Sequence, residues 1–370
     1  MREPSDVRRQ RILAVVRSRG SVRVADLAAE LEVSVVTVRR DVEELARAGR
    51  LRRGHGVARS VEPVEQPPAP AGPPAGEGAA VALVVPERHT YLYETMHGAR
   101  TVLEEAGLRV ALHIAPQAVG AERPIVARAL ADGAGGLLIA PRWPTAAEEE
   151  ADHAWLAGAG VPTVVMERRP RRGSALHAMD SVCSDHWYGM HLAVEHLVAL
   201  GHRRIVLAAR DDSPTARALR SAFAEIAEER KEIEDWAVTL SVPGAGSPDA
   251  GGAAAGPGRE RQAGAGGLAG LLREHRATAA VLHGDVDALM LVQQLADSGV
   301  RVPHDCSVVA YDDVVAAFGS TPLTAVAPPK AAVGRVAAEL LVQRLARPGT
   351  GARRVELLPE LKVRGSAREL

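Results

Sequence analysis

Only two cysteines, Cys183 and Cys306, occur in the 370 residues. That excludes a disulfide framework, leaves too few thiols for a zinc ribbon, and fits a reducing compartment. Aromatic residues make up 3% of the chain, so ring stacking cannot be a widespread device and each Trp or Tyr in a loop is worth inspecting. No run approaches the roughly 18 uninterrupted apolar residues of a membrane span. The opening MREPSDVRRQ is charged and has no apolar h-region, so neither membrane insertion nor secretion is expected and the protein reads as cytoplasmic. Enzyme signatures are also missing. There is no GxxxxGK[ST] and no GxSxG, and the glycines near Gly264 follow no strand, so neither catalysis nor a cofactor is expected. His186, His191 and His196 recur every five residues, which scatters them around a helix and argues against a metal site. His202 reads as the cap of the preceding helix.

What is present is uneven. Hydrophobic residues at 46% and charged residues at 25% are globular values, and the length allows two or three domains. The formal net charge of -1 hides a basic head: residues 1–60 carry 14 Arg against 8 Asp plus Glu, and the acidic excess lies in the remainder. A small basic head suggests a polyanionic partner, although only three lysines occur and an arginine-rich genome would also produce the bias.

VEPVEQPPAPAGPPAGEG, residues 61–78, is too rich in Pro and Gly for a helix or interior strand and reads as an extended spacer. It divides a domain at 1–60 from a larger one at 79–370. Ser241 to Gly267 is a second low-complexity stretch, expected to be a disordered surface loop. After the spacer, AVALVVP, RVALHIA, GLLIAP, PTVVME, RIVLAA, AAVLHG and SVVAYDD alternate with amphipathic segments. Continuous apolar runs separated by helices predict α/β architecture, with parallel sheets covered on both faces. Ligands of such sheets bind beyond the strand C-termini, which singles out the loops after Val85, Ala140, Val165, Ala209 and His283.

The head reads as three helices and a hairpin. Ile12, Leu13 and Val16 share one stripe, Leu27 and Leu31 another, and Val38, Val42 and Leu45 a third. Ser34 has the type and position of an N-cap, and Gly49 is placed to end the third helix. Opposite the third stripe lie Thr37, Arg39 and Arg40, short hydroxyls and arginines of the kind that suit a major groove. LRRGHGVA, from Leu51 to Ala58, reads as a hairpin whose Arg52, Arg53 and His55 could reach phosphate or the minor groove.

RILAVVRSRGSVRVADLAAELEVSVVTVRRDVEELARAGRLRRGHGVA resembles the DeoR-type winged helix-turn-helix through Ser34, Thr37, Arg39, Arg40, Asp41, Leu45, Gly49, Leu51, Arg53, His55 and Gly56. The pairing of Arg39 with Asp41 or Glu43 is the alternative to its reading DNA. Three later blocks, SDHWYGMHLAVEHLVALGHRRIVLA, TAAVLHGDVDALMLVQQLADSGVRVPHDCSVVAYDD and TPLTAVAPPKAAVGRVAAELL, resemble the LacI/GalR effector domain, itself similar to periplasmic sugar-binding proteins. That resemblance implies two α/β lobes joined by three crossings, with a cleft between them that closes on a small molecule.

The resemblance further implies a homodimer on a double-stranded DNA operator, a repressor in which cleft occupancy alters the spacing of two heads, and a carbohydrate-type effector. The alternative is a cytoplasmic sugar-binding protein with no role in gene regulation. Asp285 stands at an effector-contacting position, with an N-cap role for the Val286–Ser298 helix as its other reading. Glu167 stands where an Asp contacts ligand hydroxyls, or else is a surface carboxylate paired with Arg168 or Arg169. Arg220 matches a family arginine with spacing one residue off, which leaves Arg217 as a rival. Tyr91, Tyr93, Trp143 and Trp187, with Arg142 beside Trp143, lie near strand ends, where aromatic faces can stack on sugar rings. Gly284 and Ala310 depart from the family pattern, and the spacer replaces its groove-binding hinge helix.

Overall fold

The computed structural model describes residues 80–87, 90–241, 267–347 and 349–370, and in the head 8–9, 12–13, 16, 21–24, 27–28, 33–47, 50–54 and 57–60. The chain divides into two units, Met1–Glu77 and Gly78–Leu370. The expected spacer, Leu31, Gly49, His55, Gly56 and residues 242–266 lie outside the described residues.

In the head, Ile12, Leu13, Val16, Leu27, Val38, Val42 and Leu45 are buried in one cluster, as the first and third stripes require. Helix α1 (Val35–Arg47) precedes a hairpin of β2 (Leu51–Gly54) and β3 (Val57–Ser60), paired from Leu51↔Ser60 to Gly54↔Val57. A strand not anticipated from the sequence, β1 (Ser21–Arg23), adds to β3 antiparallel. Three residues with one apolar position among them carry too short a pattern to be read as a strand in advance.

The larger unit is two sheets. The first takes β4 (Ala80–Pro86), β5 (Arg109–Ala115), β6 (Ala134–Ile139), β7 (Thr163–Met166), β8 (Asp180–Ser184) and, much later, β14 (Arg354–Leu357), in the order β14-β8-β7-β6-β4-β5 and parallel throughout. The second takes β9 (Arg204–Ala209), β10 (Asp235–Leu240), β11 (Ala279–Leu282), β12 (Ser307–Tyr311), β13 (Thr324–Ala327) and β15 (Glu360–Lys362), in the order β10-β9-β11-β12-β13-β15 with only β15 antiparallel.

Strand alternation builds a core on each face of each sheet. Val81, Leu83 and Val85 join helices α2 (Tyr93–Glu105) and α9 (Lys330–Ala346), whereas Ala82 and Val84 face α3 (Glu122–Ala131) and α4 (Ala146–Ala157). In the second lobe Ile205 and Leu207 pack with α5 (His186–Ala199) and α6 (Pro214–Glu229), and Val206 and Ala208 with α7 (Gly267–Glu274) and α8 (Asp285–Asp297). Strand β5 departs from the expected two-sided burial: it is an edge strand, and Leu112 and Ile114 are exposed.

The chain crosses between the lobes at Asp185, at Pro328–Pro329 and at Leu358–Pro359. Helix α9 therefore belongs to the first lobe although it follows the second in sequence. It lies so close to α2 that a Cβ at Gly334 would collide with the Thr95 carbonyl and sit 2.8 Å from the Ala99 nitrogen, and one at Gly98 would collide with the Ala331 carbonyl.

Candidate functional site

Two regions carry the chemistry expected of the chain. In the head, Ser34 Oγ accepts from Thr37 N at 3.2 Å and Val38 N donates to the Ser34 carbonyl at 3.1 Å, so Ser34 caps α1. The hydroxyls of Ser34 and Thr37 are also hydrogen-bonded to each other at 2.8 Å. Asp41 is buried and takes Arg8 Nε at 2.6 Å and Arg9 Nε at 3.1 Å. That carboxylate therefore ties the first helical segment to α1. Arg39 and Arg40 are exposed, and neither forms an ion pair among the described residues. Arg52 and Arg53 lie on β2.

Between the two lobes of the larger unit lies a cleft of about 690 Å³. The first lobe supplies Pro86, Glu87, Thr90, Tyr91, Tyr93 and Arg168; the second supplies Arg210, Ser213, Thr215, His283, Asp285, Asp287 and Asp312. A contiguous recess of about 200 Å³ adds Arg142, Gln117 and Asp212. Almost every wall is a loop leaving the C-terminal end of a strand, because successive parallel strands point the same way and deliver their loops to one rim.

The cleft is polar and internally braced. Arg210 makes two bonds to Asp212, at 3.2 and 3.3 Å, and one to Asp287 at 3.2 Å, which hold its guanidinium in place and raise its pKa despite burial. Arg168 is held by the Pro141 carbonyl at 2.5 Å and the Glu167 carbonyl at 2.7 Å, and burial lowers its pKa to about 10. His283 is neutral, its pKa lowered to about 4 chiefly by burial and next by Arg210, and its Nδ1 has no hydrogen-bond partner among the described residues. Asp312 has its pKa raised to about 7 by burial and by Asp285, with Lys330 opposing. Lys330, buried at the start of α9, donates to the Asp312 carbonyl at 2.6 Å and lies 5.6 Å from the Tyr91 ring centroid.

Of the ligand-binding candidates, Tyr91, Tyr93 and Asp285 line the cleft and Arg142 lines its recess. Asp285 is not an N-cap. Helix α8 starts at Asp285 itself, and the carboxylate, 1% exposed, accepts from the backbone nitrogens of Val315 and, at 2.8 Å, Ala316. Trp143 and Glu167 do not line the cleft. Each has a positive φ, 40° and 52°, which turns the side chain into the lobe. Trp143 is buried and donates to Asp152 at 2.9 Å. Glu167 is buried, with its pKa raised by burial, and accepts from Tyr91 Oη at 3.2 Å and from Ser184. Trp187 lies on α5, stacked on His191 and donating to Glu225 at 3.0 Å.

Arg220 is on α6 outside the cleft walls, and the arginine that spans the lobes is its rival Arg217. Arg217 donates to the Trp143 carbonyl at 2.9 Å, the Pro144 carbonyl at 2.8 Å and Glu149 Oε2 at 3.1 Å. His202 does not cap a helix with its ring, which bonds Thr278 Oγ1 at 2.8 Å and the Arg368 carbonyl at 3.1 Å. Residues missed in the sequence are Arg168, Arg210, Asp287 and Asp312. The first three fall in or beside loops singled out after strand ends. Asp312 follows β12 in SVVAYDD, whose apolar run predicts a strand through to Asp313, whereas the strand ends at Tyr311.

These features define a two-lobed α/β domain with a cleft between its lobes, in the same chain as a winged helix. Residues 8–64 match the DeoR-like helix-turn-helix domain and residues 194–367 the periplasmic binding protein-like domain, and the chain joins the two. Among relatives, HTH-type transcriptional repressor PurR of Haemophilus influenzae (strain PittEE) is 31% identical over 216 residues, 57% of this chain and 58% of that protein. The ribose operon repressor of Escherichia coli (strain K12) is 30% identical over 209 residues, 56% of this chain and 58% of that protein. The chain thus spans about 58% of the length of the relatives it matches. In fold it is similar to the lac repressor dimer solved bound to operator and the anti-inducer ONPF, with a TM-score of 0.61 and 21% identity over 80% of this chain and 96% of that one. Among the described residues no helix is long and apolar enough to cross a membrane.

Proposed function

We propose that the chain is a transcriptional repressor that binds operator DNA as a homodimer and responds to a small polyhydroxylated effector, of sugar type, held between the lobes. Residues 1–60 read DNA, 61–78 act as a spacer, and 79–370 bind effector and dimerise. The observation that carries this reading is a cleft walled by both lobes, with arginines, carboxylates, a neutral histidine and two tyrosines facing it, in a chain whose capped helix α1 exposes Arg39 and Arg40. Alternating donors and acceptors suit a ligand whose hydroxyls are both. A ligand contacting both lobes favours the closed arrangement, and only that differential affinity can shift the DNA-bound population. The names of the relatives, two repressors, support the same class.

The test is a pair of measurements on the full-length protein. Thermal-shift screening against monosaccharides, polyols and nucleosides should give a concentration-dependent rise in melting temperature for one class. The same compound should then change retention of a duplex selected from a random library in a gel shift. A protein that binds the compound but retains no duplex above random would be a sugar-binding protein without a regulatory role.

A further inference from the structure

Val36 is 74% exposed and Val35 is 42% exposed, both in the first turn of α1. Neither joins the apolar cluster formed by Ile12, Leu27, Val38 and Val42. Helix stability does not ask for valine there, because β-branched side chains lose rotamer freedom in a helix and rank well below alanine. The neighbouring hydroxyls are engaged locally, Ser34 with Thr37 at 2.8 Å. The open surface of the first turn and a half is therefore branched aliphatic at Val36, with Arg39 and Arg40 three and four residues on and exposed. Resting on the reading of the head as a DNA-binding domain, this end of the helix is the part that meets base edges. Thymine is the one base that presents an aliphatic group, its C5-methyl, in the major groove.

We propose that Val36 is a specificity residue that packs against a thymine methyl in each operator half-site, flanked by Val35 and beside the base pairs approached by Arg40. Apolar surface left in water in the free protein is covered in the complex, and the arginines hold the helix in register by contacts to phosphate or guanine. The substitution Val36→Ala removes the packing methyls without threatening the fold, since alanine is the better helix former.

The experiment selects duplexes from a random library with full-length protein, then replaces each thymine of an enriched duplex by deoxyuridine, which deletes one methyl and no hydrogen-bonding group. Gel-shift titration should find one position per half-site where the wild type loses about four-fold in affinity, the value of one methyl at ~0.8 kcal/mol, and roughly 15-fold when both half-sites are changed. Val36→Ala should bind the thymine duplex more weakly and be indifferent to uracil at that position. Wild-type protein indifferent to uracil everywhere, or Val36→Ala retaining the full sensitivity, overturns the assignment while leaving DNA binding intact. Failure to enrich any duplex overturns the DNA-binding reading and this inference with it.

Discussion

Asp285 offers the sharpest test of how the cleft is held. Its carboxylate is the acceptor for the backbone N–H groups of Val315 and Ala316, so it anchors the part of the loop after β12 that lies beyond the Lys330 bond to the Asp312 carbonyl and the Arg364 pair with Asp313. In Asp285→Ala both donors lose their partner. A buried donor left unsatisfied costs about 1–3 kcal/mol. The Ala316 site is buried and the Val315 site only partly so, which puts the total near 3 kcal/mol once water reaches the outer group. Asp285→Asn keeps an acceptor oxygen and loses the charge, so it should cost about 1 kcal/mol.

All four tryptophans, Trp143, Trp155, Trp187 and Trp236, lie in the larger unit, so urea unfolding followed by tryptophan fluorescence reports that unit alone. With a slope near 3 kcal/mol/M, the alanine midpoint should fall by about 1 M. The loss should be greater at pH 5 than at pH 8, because burial and, after it, the charge of Asp285 raise the pKa of Asp312 to about 7, and removing Asp285 relieves a repulsion that exists only when both are charged. Equal midpoints for alanine and wild type, or equal losses for alanine and asparagine, would refute the anchoring role.

Three further outcomes follow from the same geometry. Arg217→Ala removes three cross-lobe hydrogen bonds, while Glu149 keeps Arg171 and His153 within 3.7 Å; closure should weaken by about 2 kcal/mol, seen as a larger radius of gyration in solution scattering, and an unchanged radius counts against the latch. Asp312 has a folded pKa raised to about 7, so its neutral form stabilises the fold fully below the ordinary carboxylate range and that stability is lost as pH rises through about 7. Asp312→Asn should therefore gain on wild type by about 1.4 kcal/mol per pH unit between roughly pH 4 and 7 and level off above, and a melting-temperature difference flat from pH 5 to 8.5 sinks this. Gly334→Ala meets backbone on the facing helix rather than a yielding side chain, so it should destabilise by at least about 3 kcal/mol; an unaltered melting temperature would show that the helices are not in that contact.

The fold was legible because the central strands are buried on both faces and so read as continuous apolar runs separated by helices, and the strand from Ala80 to Pro86 lies where its residues place it. The loops beyond Val85, Ala140, Val165, Ala209 and His283 do bring residues to the cleft and its recess. What could not be read was which side chain in each loop turns toward the cleft. Trp143 and Glu167 adopt positive φ without being glycine, a choice set by tertiary contacts such as the Arg217 bond to the Trp143 carbonyl. One residue past Glu167 the direction reverses, and Arg168 faces the cleft. Asp312 was hidden for a similar reason: with φ at 97° it breaks out of the strand that its apolar neighbours suggest. The short strands β1, β14 and β15 lack enough apolar periodicity to stand out from loop.

The placement of α9 bears on how the protein is made. The core of the amino-proximal lobe needs Val333, Ala337 and Leu341 beside Val81, Leu83 and Val164, so a nascent chain emerging from the ribosome exposes that half-built sheet until strands β9 to β13 of the second lobe have also been made. The usual order, in which an earlier domain completes itself before the next appears, is closed to it. A stop codon shortly before Lys330 would leave both lobes incomplete, one without its covering helix and the other without the edge strand β15 that pairs with β13.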